Sequence, residues 1–147
     1  MFLPWQLELL GECRVARLGT ISSSGAPHLV PVCFALVEGR IAIAIDEKPK
    51  RSVELARLAN IRRDSRVTLL VDRYEDDWTQ LAWVRVYGKA DIIARGAQWA
   101  GALSVLRDRY PQYEAMTLET RPLIRIEPVS VTGWRHSQPS QPAGFVD

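Results

Sequence analysis

The chain has 147 residues, of which 47% are hydrophobic and 24% charged, and its formal net charge is +2. This is the size and balance of one soluble globular domain, large enough to form its core without a disulfide or metal staple. No apolar run reaches the roughly 18 residues of a transmembrane helix, and the opening MFLPWQLELLGE lacks the basic stretch and cleavage site of a secretory signal, so a cytoplasmic location is expected.

Residues 5–12 (WQLELLGE) predict a short first helix ending near Gly11. Strands are predicted over Val15 to Ile21 and His28 to Val37, joined through the SSSG turn at 22–25, where Gly25 is free to take positive φ. Glu38-Gly39 reads as a two-residue hairpin turn into a further strand, Arg40 to Ile45. There Ile41, Ile43 and Ile45 alternate with Ala42 and Ala44, giving one bulky and one bare face. A bare face lets a flat ring or another backbone approach closely. Pro49 to Arg63 is expected to be helical, with Pro49 at the first position and no breaker before Asp64-Ser65. Arg66 to Asp72 is a strand, and Tyr74 to Thr79 an acidic loop.

Leu81 to Ile93 reads as a long strand with Ala82, Val84, Val86, Gly88, Ala90 and Ile92 on its apolar face. The opposite face carries Trp83, Arg85, Tyr87, Lys89 and Asp91, too charged for a core and too aromatic for plain solvent. Gly96 to Arg109 predicts a helix, with Trp99, Leu103 and Leu106 at i, i+4, i+7 spacing and a stop at Tyr110-Pro111. The last strand, Leu123 to Trp134, changes phase at Pro128, with Ile124 and Ile126 before it and Val129 and Val131 after, as a β-bulge would produce. From Ser137 the tail (SQPSQPAGFVD) has the composition of a poorly ordered segment, leaving 1–136 as one domain. Six or so strands with two to three helices, spaced too closely for repeated βαβ units, predict a mainly β (α+β) barrel.

Glycine-rich nucleotide loops and the G-x-S-x-G motif are absent from the sequence. Cys13 and Cys33 make neither a ligand set nor a disulfide framework, and His28 and His136 have no clustered carboxylates, so no metal is expected. The informative segment is IDEKPKRSVE, residues 45–54. From Lys48 to Arg66 the chain carries a net +5, leaving −3 elsewhere. Lys48, Lys50, Arg51 and Ser52, set at a predicted helix N-terminus, form a candidate phosphate clamp; the plain alternative is a solvated basic turn. Trp78, Trp83, Tyr87 and Trp134 lie on or beside strands and offer faces for a flat heteroaromatic ligand or for a dimer interface. Trp5 and Trp99 read as helix core.

The order of these motifs resembles the pyridoxamine 5′-phosphate oxidase-like split β-barrel family, with its FMN-binding-like fold. The carriers are the D-E-K-P-K run after a strand, N-I-R-R-D-S-R-V-T-L-L-V-D, and D-D-W-T-Q-L-A-W-V-R-V-Y-G-K-A, within residues 10–134. The K-P-K and D-D-W stretches are similar to the branch of oxidoreductases that use the deazaflavin coenzyme F-420. The resemblance implies a homodimer with two cofactor sites at the dimer interface, each drawing residues from both chains. It puts the phosphate on Lys48 and Lys50 with Arg51 and Ser52, and the ring over Pro31-Val32 and Ile43 to Ile45, which include Ala44. Trp78 or Trp83 would come from the partner chain. About seven additional residues (ELARLAN) separate the lysines from N-I-R-R-D, close to two helical turns at about 3.6 residues each. A true pyridoxamine phosphate oxidase is disfavoured, because such enzymes resemble one another in a longer C-terminal region with a substrate-binding Arg and His.

The expected activity is hydride transfer from reduced F-420 to an activated C=C or C=N bond of a small conjugated substrate. The proton would come from solvent or from Arg85, Tyr87 or Lys89. The alternatives are an FMN-binding oxidase or reductase of the same fold, a flavin- or deazaflavin-binding protein without turnover, and a basic nucleic-acid module. The last lacks a recognised motif, and its aromatics are not interleaved with the basic run. The expected partners are a small-molecule substrate and a second copy of the chain, with neither nucleic acid nor membrane.

Overall fold

The computed structural model describes residues 1–46 and 55–136, which form seven antiparallel strands in one sheet with three α-helices. The elements are α1 (Pro4–Glu12), β1 (Ala16–Ile21), β2 (Pro27–Val32), β3 (Ala35–Val37), β4 (Arg40–Ala44), α2 (Ala56–Arg63), β5 (Arg66–Arg73), β6 (Ala82–Ile93), α3 (Ala97–Arg109) and β7 (Leu123–Arg135). The strand order is β2-β1-β5-β6-β7-β4-β3. No helix is long and apolar enough to cross a membrane.

Strict alternation gives the sheet two faces with different roles. The inner face points Leu18, Val32, Ile41, Ile43, Leu69, Val84, Val86, Ile124 and Ile126 into one cluster drawn from both ends of the sheet. Leu9 and Leu10 of α1 and Leu58 and Ile61 of α2 close that cluster. The outer face of β3 and β4 (Ala35, Ala42, Ala44) carries a second cluster, capped by Leu103 and Leu106 of α3 and by Tyr110, Tyr113 and Leu118. The bare alanine face of β4 is thus filled by a neighbouring helix, one of the two uses its small residues permit.

Several boundaries differ from expectation. The strand predicted over His28 to Val37 is two strands, broken at Cys33-Phe34. There the Tyr110 hydroxyl accepts from the Phe34 N–H (3.0 Å) and donates towards the Phe34 carbonyl (2.8 Å), replacing a ladder partner. Of the helix expected over Pro49 to Arg63, residues 49–54 lie outside the described residues; the described part, α2, starts at Ala56 after Leu55, an extended N-cap (φ −58°, ψ 142°) packed against the inner core. The ELARLAN stretch therefore builds most of α2 itself. Glu38 and Gly39 both take positive φ, as the hairpin turn requires, and Gly25 does so in its own turn.

The bulge at Pro128 is present: Gly88 pairs with Pro128 and Tyr87 with Ser130, leaving Val129 without a partner across the ladder. Val131 packs against the inner core, while Val129, the extra residue of the bulge, is 60% exposed. Gly88 is required there, since a Cβ would come within 2.6 Å of the Ile126 side chain and 2.7 Å of the Glu127 carbonyl.

Candidate functional site

Beyond α3, no helix among the described residues covers the outer face of the same sheet. Register aligns Leu29, Gly19, Thr68, Tyr87 and Ser130 in one row across β2, β1, β5, β6 and β7. The next row holds Pro31, Arg17, Leu70, Arg85 and Thr132, and the third Asp72, Trp83 and Trp134. Leu29 is 70% exposed, and with Val129 and Tyr87 it borders a groove of about 510 Å³ whose floor includes Gly19 and Thr68. A Cβ at Gly19 would press on the Leu29 side chain at 3.3 Å, so glycine keeps this floor low.

Arg85 is the centre of the second row. Its guanidinium carbon sits 5.4 Å from the Trp83 ring centroid and 5.0 Å from that of Tyr87, a cation held between two aromatic faces. Its Nε is buried without a hydrogen-bond partner, and so is the Oγ1 of Thr132, directly across the ladder. Buried polar atoms are nearly always satisfied, and leaving one unpaired costs about 1–3 kcal/mol. Two such atoms side by side on an aromatic, half-open face are suited to the polar edge of a flat conjugated ligand. Around them the charges are paired: Arg17 with Asp72 at 3.0 Å and Arg66 with Asp64 at 2.7 Å.

The residues expected at the site fall in different places. Lys48, Lys50, Arg51 and Ser52 lie outside the described residues. Pro31 is exposed and Trp83 half-buried, both on the open outer face. Val32 and Ile45 belong to the inner core, and Ala44 to the cluster beneath α3. Trp78 stands at the tip of the β5–β6 hairpin, 65% exposed, its Nε1 donating to the Tyr74 hydroxyl at 3.4 Å. Asp77 orders that tip by accepting from the Thr79 N–H and hydroxyl, bonds that hold its carboxyl below the usual range. The structure therefore brings Pro31 and Trp83 to one surface and leaves Val32, Ala44 and Ile45 behind it.

The end of β4 is fixed from the other side. Arg121 donates to the Ile45 carbonyl at 2.9 Å, and the buried Tyr113 hydroxyl donates to Asp46 at 2.8 Å. Burial, then the neighbouring Asp46, pushes the Tyr113 phenol well above its ordinary value, so it stays a donor. Thr132, Leu29 and the exposure of Val129 escaped sequence reading; the decorated face of β6 was its only signal. Both cysteines are free, and burial pushes the Cys13 thiol up, making it a poor nucleophile. Among the described residues no group of His, Cys, Asp and Glu could hold a metal.

No curated protein matches the sequence at a significant level. Solved structures do match the fold. A conserved hypothetical protein of Mycobacterium tuberculosis superposes with a TM-score of 0.76 at 23% identity, covering 100% of this chain and 93% of its own. The heme storage protein HutZ of Vibrio cholerae gives 0.70 at 15% identity, covering 92% and 95%. An FAD-binding protein of Mesorhizobium loti gives 0.66 at 22% identity, covering 90% and 94%. The split-barrel architecture is common to this chain and the family whose sequence profile matches residues 5–135, and on that match the chain belongs to the pyridoxamine 5′-phosphate oxidase family.

Proposed function

We propose that the protein binds the deazaflavin coenzyme F-420 on the open outer face and acts as a reductase of small conjugated substrates. The observation that carries this reading is the pair of unpartnered buried atoms, Arg85 Nε and Thr132 Oγ1, set among Trp83, Tyr87 and Trp134. A flat ring with polar atoms on its edge matches that combination, and an FAD-binding relative in fold adds support. The bound coenzyme supplies the hydride.

The chain's own residues bind, orient and exclude water. Lys48, Lys50, Arg51 and Ser52 grip the phosphate and the anionic tail, in keeping with the +5 charge of their segment. Trp83 and Pro31 border the ring, while Val32, Ala44 and Ile45 support the strands behind it. Tyr87 and Lys89, exposed on the same face, are placed to pass a proton from solvent. Leu29 and Val129 expose apolar surface around the groove, and a second copy of the chain covering them would complete the site and dry it, with Trp78 supplied from the partner's hairpin.

Fluorescence titration with F-420 and with FMN tests the proposal. Saturable F-420 binding with little FMN binding is expected; tight FMN binding alone would assign the flavin alternative. Reduced F-420 mixed with enones, quinones and tetrapyrroles then separates a reductase from a carrier, since a carrier leaves the coenzyme reduced. Lys50→Ala is expected to weaken F-420 by about 1.5–3 kcal/mol, the loss of a hydrogen bond to a charged group.

A further inference from the structure

A second cavity lies on the other part of the outer face, where the N-terminal half of α3 crosses the β3–β4 hairpin. Its volume is about 200 Å³, and its walls include Ala42, Ile93, Gly101 and Ala102. Apolar cavities of roughly 150 Å³ accept a benzene-sized molecule. Gly101 sits inside a helix, where glycine is unfavourable relative to alanine. Yet a Cβ there would meet no atom within 4 Å, so packing does not require its absence.

The mouth has a definite hydrogen-bond polarity. Arg125 spends its donors on neighbours: Nε and Nη2 on the Asp91 carboxylate at 3.1 and 2.7 Å, and Nη1 on the Gln98 amide oxygen. Arg40 uses Nε on Glu127. Both oxygens of Asp91, the Gln98 amide oxygen and one oxygen of Glu127 are thereby engaged. The two terminal nitrogens of Arg40 and the amide nitrogen of Gln98 make no hydrogen bond among the described residues, and all three are donors. Among the described residues, Glu38, exposed at the hairpin turn, is the one carboxylate that lines the cavity, and Glu127 keeps its second oxygen free of a hydrogen bond beside the mouth.

We propose that this cavity is a binding site for a small aromatic molecule ending in a carboxylate or carbonyl. The ring occupies the space between Ala42, Ile93 and Gly101, and the acceptor oxygen meets Arg40. The site is separate from the outer-face groove and does not depend on the function proposed for that groove.

The test is an NMR titration of the full chain with benzoate at millimolar concentrations, with benzylamine as the oppositely charged control. Saturable shifts at Ile93, Gly101 and Ala102 are expected with benzoate and not with benzylamine. Gly101→Leu, which fills the cavity, is expected to abolish those shifts, and Arg40→Gln, a surface change that leaves the fold intact, to weaken benzoate about tenfold. Glu38→Gln is expected to strengthen it. The assignment is overturned if benzoate gives no saturable shift, if benzylamine binds as well, or if Arg40→Gln binds benzoate like the parent protein.

Discussion

The outer face of β6 and β7 runs through two regions built by the same alternation and treated in opposite ways. At one end, Ile93 and Leu123 lie beneath α3, packed with Leu103, Leu106, Tyr110 and Tyr113. At the other end, Trp83, Arg85, Tyr87, Thr132 and Trp134 have no helix over them among the described residues, and Leu29 and Val129 are exposed beside them. The Pro128 bulge lies between the two regions and re-phases β7 so that each faces its own surroundings. We read this face, which has no cover among the described residues and holds unpaired polar atoms among aromatics, as one organised for a ligand or a partner rather than for stability.

The largest effect expected from this contrast is in stability. Leu106→Ala, in the covered half, should cost about 2–5 kcal/mol as a core truncation. Leu29→Ala, in the open half, should stay within about 0.5 kcal/mol; urea unfolding of both variants measures the difference. If Leu29→Ala proved as costly as Leu106→Ala, the open half would be core after all. Next comes the boundary. Gly88→Ala forces a Cβ into the Ile126 side chain and the Glu127 carbonyl, an overpacking expected to cost about 1–3 kcal/mol in the same assay.

Arg85→Gln sharpens the comparison on the functional side. It removes the cation between Trp83 and Tyr87 and should weaken F-420 about tenfold, or about 1.4 kcal/mol, while thermal stability barely changes. A fall in melting temperature without a fall in affinity would assign Arg85 to packing.

The smallest effect is one of pH. Two side-chain bonds and a backbone bond from Arg66 hold the Asp64 carboxyl at about 2, against an ordinary 3.8. A depressed folded-state value means that this contribution is present above pH 3.8 and is lost as the pH falls through about 2. The Asp64–Arg66 pair lies at the surface, with Arg66 exposed and Asp64 half-buried, so water screens it and the effect is slight; Asp64→Asn should make the acid limb of the stability curve shallower.

Much of this architecture is legible in the residues. The 3.6-residue spacing of Trp99, Leu103 and Leu106 marks α3, the alternation through 82–92 marks β6, Glu38-Gly39 marks a hairpin, and the phase change at Pro128 marks the bulge. Two features are not. The break at Cys33-Phe34 depends on the hydroxyl of Tyr110, 76 residues along the chain, and no local pattern announces it. The start of α2 at Ala56 depends on Leu55 taking extended backbone and packing against the core.

The candidate site is harder to read for the same reason. Tryptophan and arginine on β6 stand out in sequence, but Leu29, Thr68 and Thr132 join them only through antiparallel register across five strands. Ala44 and Ile45 look open as a small-residue strand, and it is α3 and the inner core that claim them.

Isothermal titration of the purified chain with F-420 tests the central claim most directly. Saturable binding is predicted, weakened by Arg85→Gln and by Lys50→Ala in proteins that remain folded. Absence of binding heat with both F-420 and FMN, or affinity unchanged in both variants, would contradict it.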